Sequence, residues 1–513
     1  MKKLVIVFTV IVALLSTLLT ACGSKAFAQE STKTQVLRIY NCEDYICNED
    51  DPETEENEDV LSAFVDYMQE SKGVKVKIEY STFGTLENMY NELKINPKSY
   101  DLVCPSEYMV QKMINEDMLE PFTEEFLQDN NYKSYASPYI QHLFENSYID
   151  GKAWSDYAMG YMWGTLGLVY NPEIVDAADM QSWSSLWDKK YKKHSTVKDS
   201  IRDTYFLGLA KTYKEELNEA RANYLNGTIT ASEYKQTLTE ILNRTDSQSI
   251  NLVKEQLTAL KKNVFGLEVD SGKNDLVTGK ISINFAWSGD AVYAMDEAEA
   301  DDCYLNFAIP DEGSNIWFDA WVMPKGANVE LAQEFINFVS LPEMAINNME
   351  YIGYTSVIAG QEVYDWLVDW YGLSEEEGEE TPYVSDLSYF FGGTLDNGQT
   401  EINLYCADNG RQFFAQYPSQ EIVDRCAIMS FFDPETNEKL NDMWASFKGG
   451  NFPVWAIVLS FTAIVLAMLG VVAYRFRRKI FKRSYENIQP KPLKKGVKII
   501  SKEEIIYYKE NNK

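Results

Sequence analysis

The chain has 513 residues, of which 45% are hydrophobic and 13% aromatic, so it is long enough for two or three compact units with a large core, and its composition argues against global disorder. The formal net charge is −31, but residues 475–513 hold 13 Lys and Arg against 4 Asp and Glu, so the rest of the chain carries −40. A body this acidic repels nucleic acid and attracts cations, and its two histidines give poor support to a histidine-based zinc site or a Ser-His-Asp triad.

The N-terminus has the pattern of an export signal. Lys2 and Lys3 precede an apolar run at residues 4–19, and these are the charged and apolar regions of a signal peptide. We therefore predict that residues 1–21 are the signal peptide and that residues 22–35 form a spacer before the folded body.

Two cleavage sites compete at the end of this signal. Residues 19–22 match a bacterial lipobox, which would leave a lipidated Cys22 at the new N-terminus. Residues 26–28, Ala-Phe-Ala, match an ordinary signal peptidase site. The lipobox is favoured because it directly abuts the apolar run, and an uncleaved anchor is the third option.

The first part of the body alternates between predicted strands and predicted helices. Strands are expected at residues 36–40, 74–80 and 101–104, and helices at residues 60–68, at 86–93 and after Ser106. Gly73 is expected to follow the end of the first helix, and Ser106 to cap the third. This alternation predicts a parallel α/β sheet, whose ligands lie beyond the C-terminal strand ends. Residues 41–45 and 106–108 are therefore candidate cleft loops.

The second part of the body carries fewer regular patterns. Strands are predicted at residues 157–171, 281–285, 307–309 and 320–323, and helices across residues 206–264 with a break at Asn226-Gly227, at residues 331–339 and across residues 421–448 with an interruption near Pro434. Residues 373–396 are polar and are predicted to be a surface insertion. The sequence shows no internal repeat and no glycine-rich phosphate motif.

A second long apolar run lies near the C-terminus. Residues 453–474 contain no charged side chain, and their length matches that of a helix that spans the hydrocarbon core. Basic residues follow at once, which is a stop-transfer pattern. We therefore predict an extracellular body, a transmembrane helix at 453–474 and a basic cytoplasmic tail at 475–513 that lies against anionic lipid.

Acidic and aromatic side chains recur together in short clusters. They are Glu43-Asp44-Tyr45, Ser106-Glu107-Tyr108, Arg202-Asp203, Trp287-Ser288-Gly289-Asp290 and Trp317-Phe318-Asp319. A carboxylate holds an ammonium group by charge-assisted hydrogen bonds, and an aromatic face holds the same cation and its methylene chain. A cleft lined with both suits an organic polyamine better than a metal ion, a sugar or a nucleic acid.

Each of these residues also has a structural explanation. Core packing is the common fate of a tryptophan, pairing with Arg202 would explain Asp203, and an N-cap role would explain Asp290. However, Trp287 and Trp317 each have an aspartate two or three residues later. An aspartate among apolar strands is costly unless a cation pairs with it. The clusters therefore favour ligand contact.

Short motifs also follow one another in a fixed order along the body. They are Ile39-Tyr40-Asn41-x-x-x-Tyr45, Tyr100-Asp101-Leu102-Val103-x-Pro105-Ser106-x-Tyr108, Trp163-Gly164-Thr165-x-Gly167, Ser182-Trp183-x-x-Leu186-Trp187, Asp199-Ser200-Ile201-Arg202-Asp203, Trp287-Ser288-Gly289-Asp290, Trp317-Phe318-Asp319, Ile352-Gly353-Tyr354 and Tyr417-Pro418. Over roughly residues 36–448 this series resembles the extracellular spermidine/putrescine-binding proteins of polyamine ABC importers.

The resemblance implies a type II periplasmic-binding-protein fold, in which two α/β lobes are joined by crossover strands and close on ligand across an interlobe cleft. We expect the first lobe at about 36–155 and 320–355, and the second at about 156–319 and 356–448. The resemblance further implies a monomer without cofactor, metal or catalysed reaction, which binds spermidine or putrescine and delivers it to an ABC permease and its ATPase.

The resemblance also implies a set of ligand-contacting residues, to which Asp290 is added from its own cluster. The predicted site residues are Asp44, Tyr45, Ser106, Tyr108, Ser200, Asp203, Trp287, Asp290, Trp317, Asp319 and Tyr354. The chain departs from the family pattern at four positions. Cys42 replaces a tryptophan, Glu43 a small polar residue, Ser200 an aspartate, and Met429 a late glutamine. These changes leave the choice between the two polyamines open.

Three other functions compete with that of a polyamine receptor. An acidic aromatic cleft would also suit an enzyme that cuts glycosides with paired carboxylates. Tyrosines would suit a receptor for ferric ion, and the acidic cleft one for another small cationic solute. A sensor that signals through its membrane helix would need a partner, because the 39-residue tail is too short for an output domain.

Overall fold

The computed structural model describes residues 34–48, 59–373, 383–406 and 410–449, together with 462, 466–469, 471 and 474. The predicted signal peptide, Cys22, the basic tail and most of the predicted membrane segment lie outside these residues. Within the described part of the chain, no helix combines the length and the apolar character needed to span a bilayer. The compact unit that ends at Phe447 contains the sheet and the candidate site.

The strands of this unit are numbered in chain order. They are β1 (Gln35–Cys42), β2 (Val76–Phe83), β3 (Leu102–Val103), β4 (Leu119–Glu120), β5 (Tyr148–Ile149), β6 (Lys152–Ala153), β7 (Ala158–Tyr170), β8 (Ser195–Lys198), β9 (Gly266–Glu268), β10 (Ile283–Trp287), β11 (Asn306–Ala308), β12 (Ser314–Pro324), β13 (Thr355–Ser356), β14 (Tyr383–Asp386), β15 (Asn403–Cys406) and β16 (Cys426–Ala427).

The helices are numbered in the same way. They are α1 (Val60–Ser71), α2 (Leu86–Ile95), α3 (Glu107–Asn115), α4 (Glu124–Gln128), α5 (Asn131–Tyr135), α6 (Pro138–Glu145), α7 (Ile201–Thr212), α8 (Lys214–Leu225), α9 (Ala231–Leu242), α10 (Ser247–Asn263), α11 (Ser271–Val277), α12 (Ser288–Glu299), α13 (Val329–Val339), α14 (Pro342–Ile352), α15 (Gln361–Tyr371), α16 (Ser388–Phe391), α17 (Arg411–Gln416), α18 (Gln420–Asp424) and α19 (Pro434–Gly449).

One twelve-stranded sheet organises the unit. Eight of its strands follow the order β2-β1-β3-β12-β7-β10-β8-β9, while β11 and β13 pair with β7, and β4 and β16 pair with β12. Strand β1 pairs in parallel with β2 and β3, and β8 pairs in parallel with β9 and β10. Strands β7 and β12 lie between these parallel halves and run antiparallel to each other. The sheet therefore has the two-lobe arrangement expected from the resemblance, with β7 and β12 as crossover strands. The predicted lobe boundaries stay a prediction.

The two crossover strands are the most deeply buried elements. Every residue of β7 and of β12 is buried, and both sequences are near-continuous apolar runs, as is typical of strands covered on both faces. Asp319 lies in the middle of β12 as its single charged residue. Packing on both faces of these strands therefore holds one carboxylate in the buried middle of β12.

Helix boundaries fix the loops that follow the strands. Gly73 has a φ of +68° directly after the C-cap of α1, as predicted for a glycine that ends a helix. Ser106 occupies the N-cap position of α3, also as predicted, but its hydroxyl makes no capping hydrogen bond. Trp287 precedes α12 as its N-cap residue, so Asp290 lies in the first turn and is not the cap.

The prediction of a surface insertion at residues 373–396 is wrong near the C-terminal end of that stretch. Phe390 and Phe391 are fully buried. Phe390 stacks on Trp163 with ring centroids 5.5 Å apart and meets Tyr417 edge-on at 5.3 Å. The polar neighbours of this short helix concealed it, because its apolar partners are distant in sequence.

Two further predictions about the chain can be compared with the structure. Helices α8 and α9 separate at Asn226 and Gly227, as expected. Pro434 begins α19 instead of interrupting a longer helix, which agrees with the tolerance of proline in a first turn. Cys42 and Cys47, close in sequence, are not joined to each other by a disulfide.

Candidate functional site

The predicted site residues lie where four parallel strands end. The loops after β1, β3 and β8 carry Tyr45, Ser106 and Ser200 respectively, and Trp287 is the last residue of β10. In open α/β sheets such strand ends face the ligand crevice. The crossover strand β12 adds Asp319 from the middle of the same sheet.

Asp319 is buried, and in the described part of the chain only hydroxyl groups hydrogen-bond to its carboxylate. The Tyr45 hydroxyl donates a 2.5 Å hydrogen bond to its carboxylate, and Ser106 donates a second across an isolated β-bridge. Among the described residues no lysine or arginine nitrogen lies within ion-pair distance of it. Burial raises the pKa of Asp319 to about 6, although these two hydrogen bonds lower it and the charge of Asp203 raises it further.

Asp203 lies in the first turn of α7 and resembles Asp319 in its surroundings. Its backbone N–H donates to the Ser200 hydroxyl at 3.4 Å, and the side chains of Ser200 and Trp287 hydrogen-bond to its carboxylate. Burial raises the pKa of Asp203, and these hydrogen bonds reduce the shift. The two halves of the site therefore each present a buried carboxylate.

Pairing of Asp203 with Arg202, the structural alternative, is not what the structure shows. The Arg202 guanidinium lies 3.6 Å from the centroid of the Phe432 ring and 5.1 Å from that of Tyr108. It donates a 2.7 Å hydrogen bond to the carbonyl of Ser430. No ion pair joins it to Asp203 in the described part of the chain, so it contributes to that carboxylate only through longer-range attraction.

Sequence reasoning did not assign a third buried carboxylate. Glu107 is buried, and one of its oxygens accepts a 3.3 Å hydrogen bond from the backbone N–H of Phe318. Its other oxygen has no hydrogen-bond partner among the described atoms. Burial raises the pKa of Glu107 to about 8, with Asp319 adding to the shift, so this group is largely neutral at pH 7. Its place within the Ser106-Glu107-Tyr108 cluster was the available signal.

Three predicted aromatic residues form a continuous wall beside Asp319. Tyr354 packs edge-on against Tyr45 with centroids 5.2 Å apart, and it contacts Trp317 at 5.7 Å. Two glycines allow this approach. A Cβ at Gly164 would lie 2.5 Å from Trp317, and one at Gly289 would lie 2.1 Å from the Tyr354 ring. The glycines of the sequence motifs therefore have a direct packing role.

A buried ion pair lies on the other side of the site, and sequence reasoning missed its cation. The ammonium of Lys198 lies 2.7 Å from Asp290 and 3.3 Å from Glu268, and all three side chains are buried. The same ammonium lies 4.3 Å from the Trp287 ring centroid. The Tyr354 hydroxyl donates a 3.0 Å hydrogen bond to Asp290. Asp290 therefore already has a cation.

Two other predicted ligand-contacting residues, Tyr108 and Asp44, lie at the periphery of the candidate site. Tyr108 is half-buried and meets Arg202 through its ring face. Asp44 is exposed, with a φ of +49°, and no hydrogen bond joins it to another predicted site residue in the described ranges. Met429, where the family has glutamine, is buried and accepts a 2.9 Å hydrogen bond at its carbonyl from Gln111.

The tyrosines of the site are unsuited to ferric ion, which was one of the alternatives. Both the Tyr45 and the Tyr354 hydroxyls donate to carboxylates. Burial raises the pKa of each phenol well above its ordinary value, which disfavours the phenolate that would bind iron. Within the described residues, no cluster of three or more His, Cys, Asp or Glu side chains is placed to hold a metal ion.

The chain is similar in sequence to proteins that bind small amines. It is 28% identical to the spermidine/putrescine-binding periplasmic protein of Salmonella typhimurium over 288 residues, which are 56% of this chain and 72% of that protein. It is 27% identical to the putrescine-binding periplasmic protein SpuD of Pseudomonas aeruginosa over 332 residues, which are 64% of this chain and 79% of that protein.

Solved structures and a family model agree with this similarity. The substrate-binding protein PotD of a spermidine/putrescine ABC transporter from Streptococcus pneumoniae superposes with a TM-score of 0.52 at 27% identity, over 81% of this chain and 99% of that one. The PotD-type lipoprotein of Treponema pallidum shares the fold, with a TM-score of 0.55 at 18% identity over 80% and 99%. Because the model of the bacterial extracellular solute-binding proteins matches residues 62–367, the chain belongs to that family, which consists of binding proteins and not of enzymes.

Proposed function

We propose that this chain is the extracellular substrate-binding component of a polyamine ABC transporter and that it binds spermidine or putrescine. The observation that carries the proposal is a pair of buried carboxylates. Asp203 and Asp319 are each only 9% exposed, and no basic side chain of the described residues forms an ion pair with either. A buried carboxylate without a cation is costly, and an ammonium group of a ligand would remove that cost.

The surrounding rings match the rest of a polyamine. Tyr45, Trp317 and Tyr354 provide apolar surface beside Asp319, and Trp287 does so beside Asp203. Each hydrogen bond to a charged group contributes roughly 1.5–3 kcal/mol, and each partly desolvated cation–π contact on the order of 0.5–2 kcal/mol. After ordering costs, these contacts support affinity of about micromolar or better.

The positions of the two carboxylates support delivery of the bound polyamine to a permease. Asp319 lies on a crossover strand beside the β1 and β3 loops, whereas Asp203 lies on α7 after β8. A ligand that contacts both stabilises one relative placement of the two halves over others. Closure on the polyamine would then present a distinct surface to a permease and its ATPase, with the receptor acting as a monomer.

The proposal includes attachment to the membrane. Residues 453–474 would span the bilayer, with the body outside and residues 475–513 in the cytoplasm, and a lipid on Cys22 would give a second anchor. Support comes from the uncharged apolar run and the basic residues after it. The full chain and a chain ending at residue 449 should both stay with the membrane on fractionation. Only the Cys22→Ala form of the shorter chain should leave the membrane.

A calorimetric titration with putrescine and spermidine tests the ligand. The wild-type protein should bind at least one of them saturably, and Asp319→Asn should weaken that binding at least tenfold, because a charged hydrogen bond is lost. Asp369→Asn serves as the matched control, since Asp369 is exposed on α15. A wild-type protein that binds neither polyamine, or an Asp319→Asn variant that binds as well as the control, would overturn the proposal.

A further inference from the structure

Lys198 is the most deeply buried cation of the candidate site. Its side chain is 1% exposed, and its ammonium contacts Asp290 and Glu268 at 2.7 and 3.3 Å. The same nitrogen lies 4.3 Å from the centroid of the Trp287 ring. A carboxylate on one side and an indole on another are the two contacts that a ligand ammonium seeks. The protein's own lysine therefore has the environment of a bound amine.

This lysine remains charged in place. Burial lowers the pKa of Lys198, but the charges of Asp290 and Glu268 outweigh burial, so its pKa is raised overall. Glu268 is held further by a 2.9 Å hydrogen bond from the backbone N–H of Gly272 and one from Asn284. The ion pair is therefore a fixed part of this side of the site.

We propose that Lys198 fills one amine position of the site with its own ammonium, so that the site takes a linear diamine in preference to a triamine. The inference rests on the proposed function and narrows its substrate class. Within the described residues neither Asp203 nor Asp319 forms an ion pair, so each can take one ammonium of a diamine. A third ammonium would meet the charge of Lys198 where it would otherwise meet Asp290.

The balance of charge around the site supports the same conclusion. Glu107 is the remaining buried carboxylate near Asp319, and it is largely neutral at pH 7 because its pKa is about 8. Lys273 adds a second ammonium 3.9 Å from Asp290. The Asp290 side of the site therefore offers no unbalanced negative charge to a ligand, whereas neither Asp203 nor Asp319 forms an ion pair in the described part of the chain.

The first test compares the two ligands on the wild-type protein. Putrescine, a diamine, should bind about tenfold or more tightly than spermidine, a triamine, in calorimetric titrations of the full chain, since like charges in a partly desolvated site repel. This comparison needs no variant. Spermidine that binds as tightly as putrescine, or more tightly, overturns the inference while leaving the polyamine receptor intact. Failure to bind either ligand would instead overturn the proposed function.

The second test removes the internal cation. In Lys198→Gln the ratio of the spermidine to the putrescine dissociation constant should fall about tenfold, because a third ammonium can reach Asp290 and Trp287. Lys198→Arg keeps the charge and should keep the wild-type ratio within about threefold. In Lys198→Gln/Asp290→Asn the gain should become smaller, since only Glu268 remains to hold the third ammonium. A ratio that is unchanged in Lys198→Gln contradicts the inference.

Discussion

Asp319 and Asp290 are buried to a similar degree, at 9% and 3% exposed, but their electrostatic surroundings are opposite. Asp319 receives hydrogen bonds from the neutral hydroxyls of Tyr45 and Ser106. Asp290 receives one hydrogen bond from Tyr354 and forms an ion pair with Lys198. Burial raises the pKa of Asp319 to about 6. Within the described residues one carboxylate thus has no ion pair, and the other is neutralised within the protein.

The comparison shows that an aspartate beside an aromatic residue is not by itself a ligand contact. Trp317 with Asp319 and Trp287 with Asp290 look alike in sequence, with one or two residues between the partners. Only the tertiary neighbours distinguish them, because the stabilisation of a buried charge depends on what pairs with it. The count of carboxylates that lack a cation therefore indicates the charge of the ligand better than the total acidity does.

The largest expected effect comes from neutralising Asp203 and Asp319 together. Asp203→Asn/Asp319→Asn should weaken polyamine binding on the order of a thousandfold, because two charged hydrogen bonds of roughly 1.5–3 kcal/mol each are lost. The measurement is a calorimetric titration, with far-ultraviolet circular dichroism to show that the fold is kept. A double variant that binds polyamine within tenfold of the wild type would contradict the assignment of these two carboxylates to the ligand.

Asp290 should matter more than Asp319 for the stability of the free protein, which is the reverse of their expected order in ligand binding. Asp290→Asn leaves a buried lysine with one carboxylate fewer, and we expect it to lower the free energy of unfolding by about 3 kcal/mol. Asp319→Asn removes no ion pair and should leave that free energy unchanged or higher. Urea denaturation of both variants beside Asp369→Asn measures the difference. Equal destabilisation by the two substitutions would contradict the electrostatic assignment.

A smaller effect is expected in the pH dependence of stability and of polyamine affinity, both of which should reflect the raised pKa of Asp319. The pKa of Asp319 is raised from about 3.8 to about 6 in the folded protein, so the folded state binds a proton more readily than the unfolded state. Its contribution to the stability of the free protein therefore falls as pH rises from about 4 to 6. Polyamine affinity requires the carboxylate and should move oppositely, falling about tenfold between pH 7 and 5. Asp319→Asn should lose most of that dependence of affinity.

The sequence allowed much of the fold and part of the site to be predicted. Strand and helix periodicity, with the ordered motifs, predicted the α/β architecture, and an aspartate within an apolar strand pointed to Asp319. The contact between Lys198 and Asp290 could not be predicted, because it depends on how β8 and β10 pair in the sheet. For the same reason Phe390 was misassigned to the surface, since its partner Trp163 lies on β7.

Proton release on ligand binding tests the central claim most directly. At pH 6 about half of the Asp319 side chains should carry a proton, because the pKa is about 6, and a bound ammonium should displace it. Putrescine titrations at pH 6 in two buffers of different ionisation enthalpy should reveal proton release by the wild-type protein and markedly less by Asp319→Asn. Saturable binding with equal proton release from both proteins, or with none from the wild type, would contradict the account.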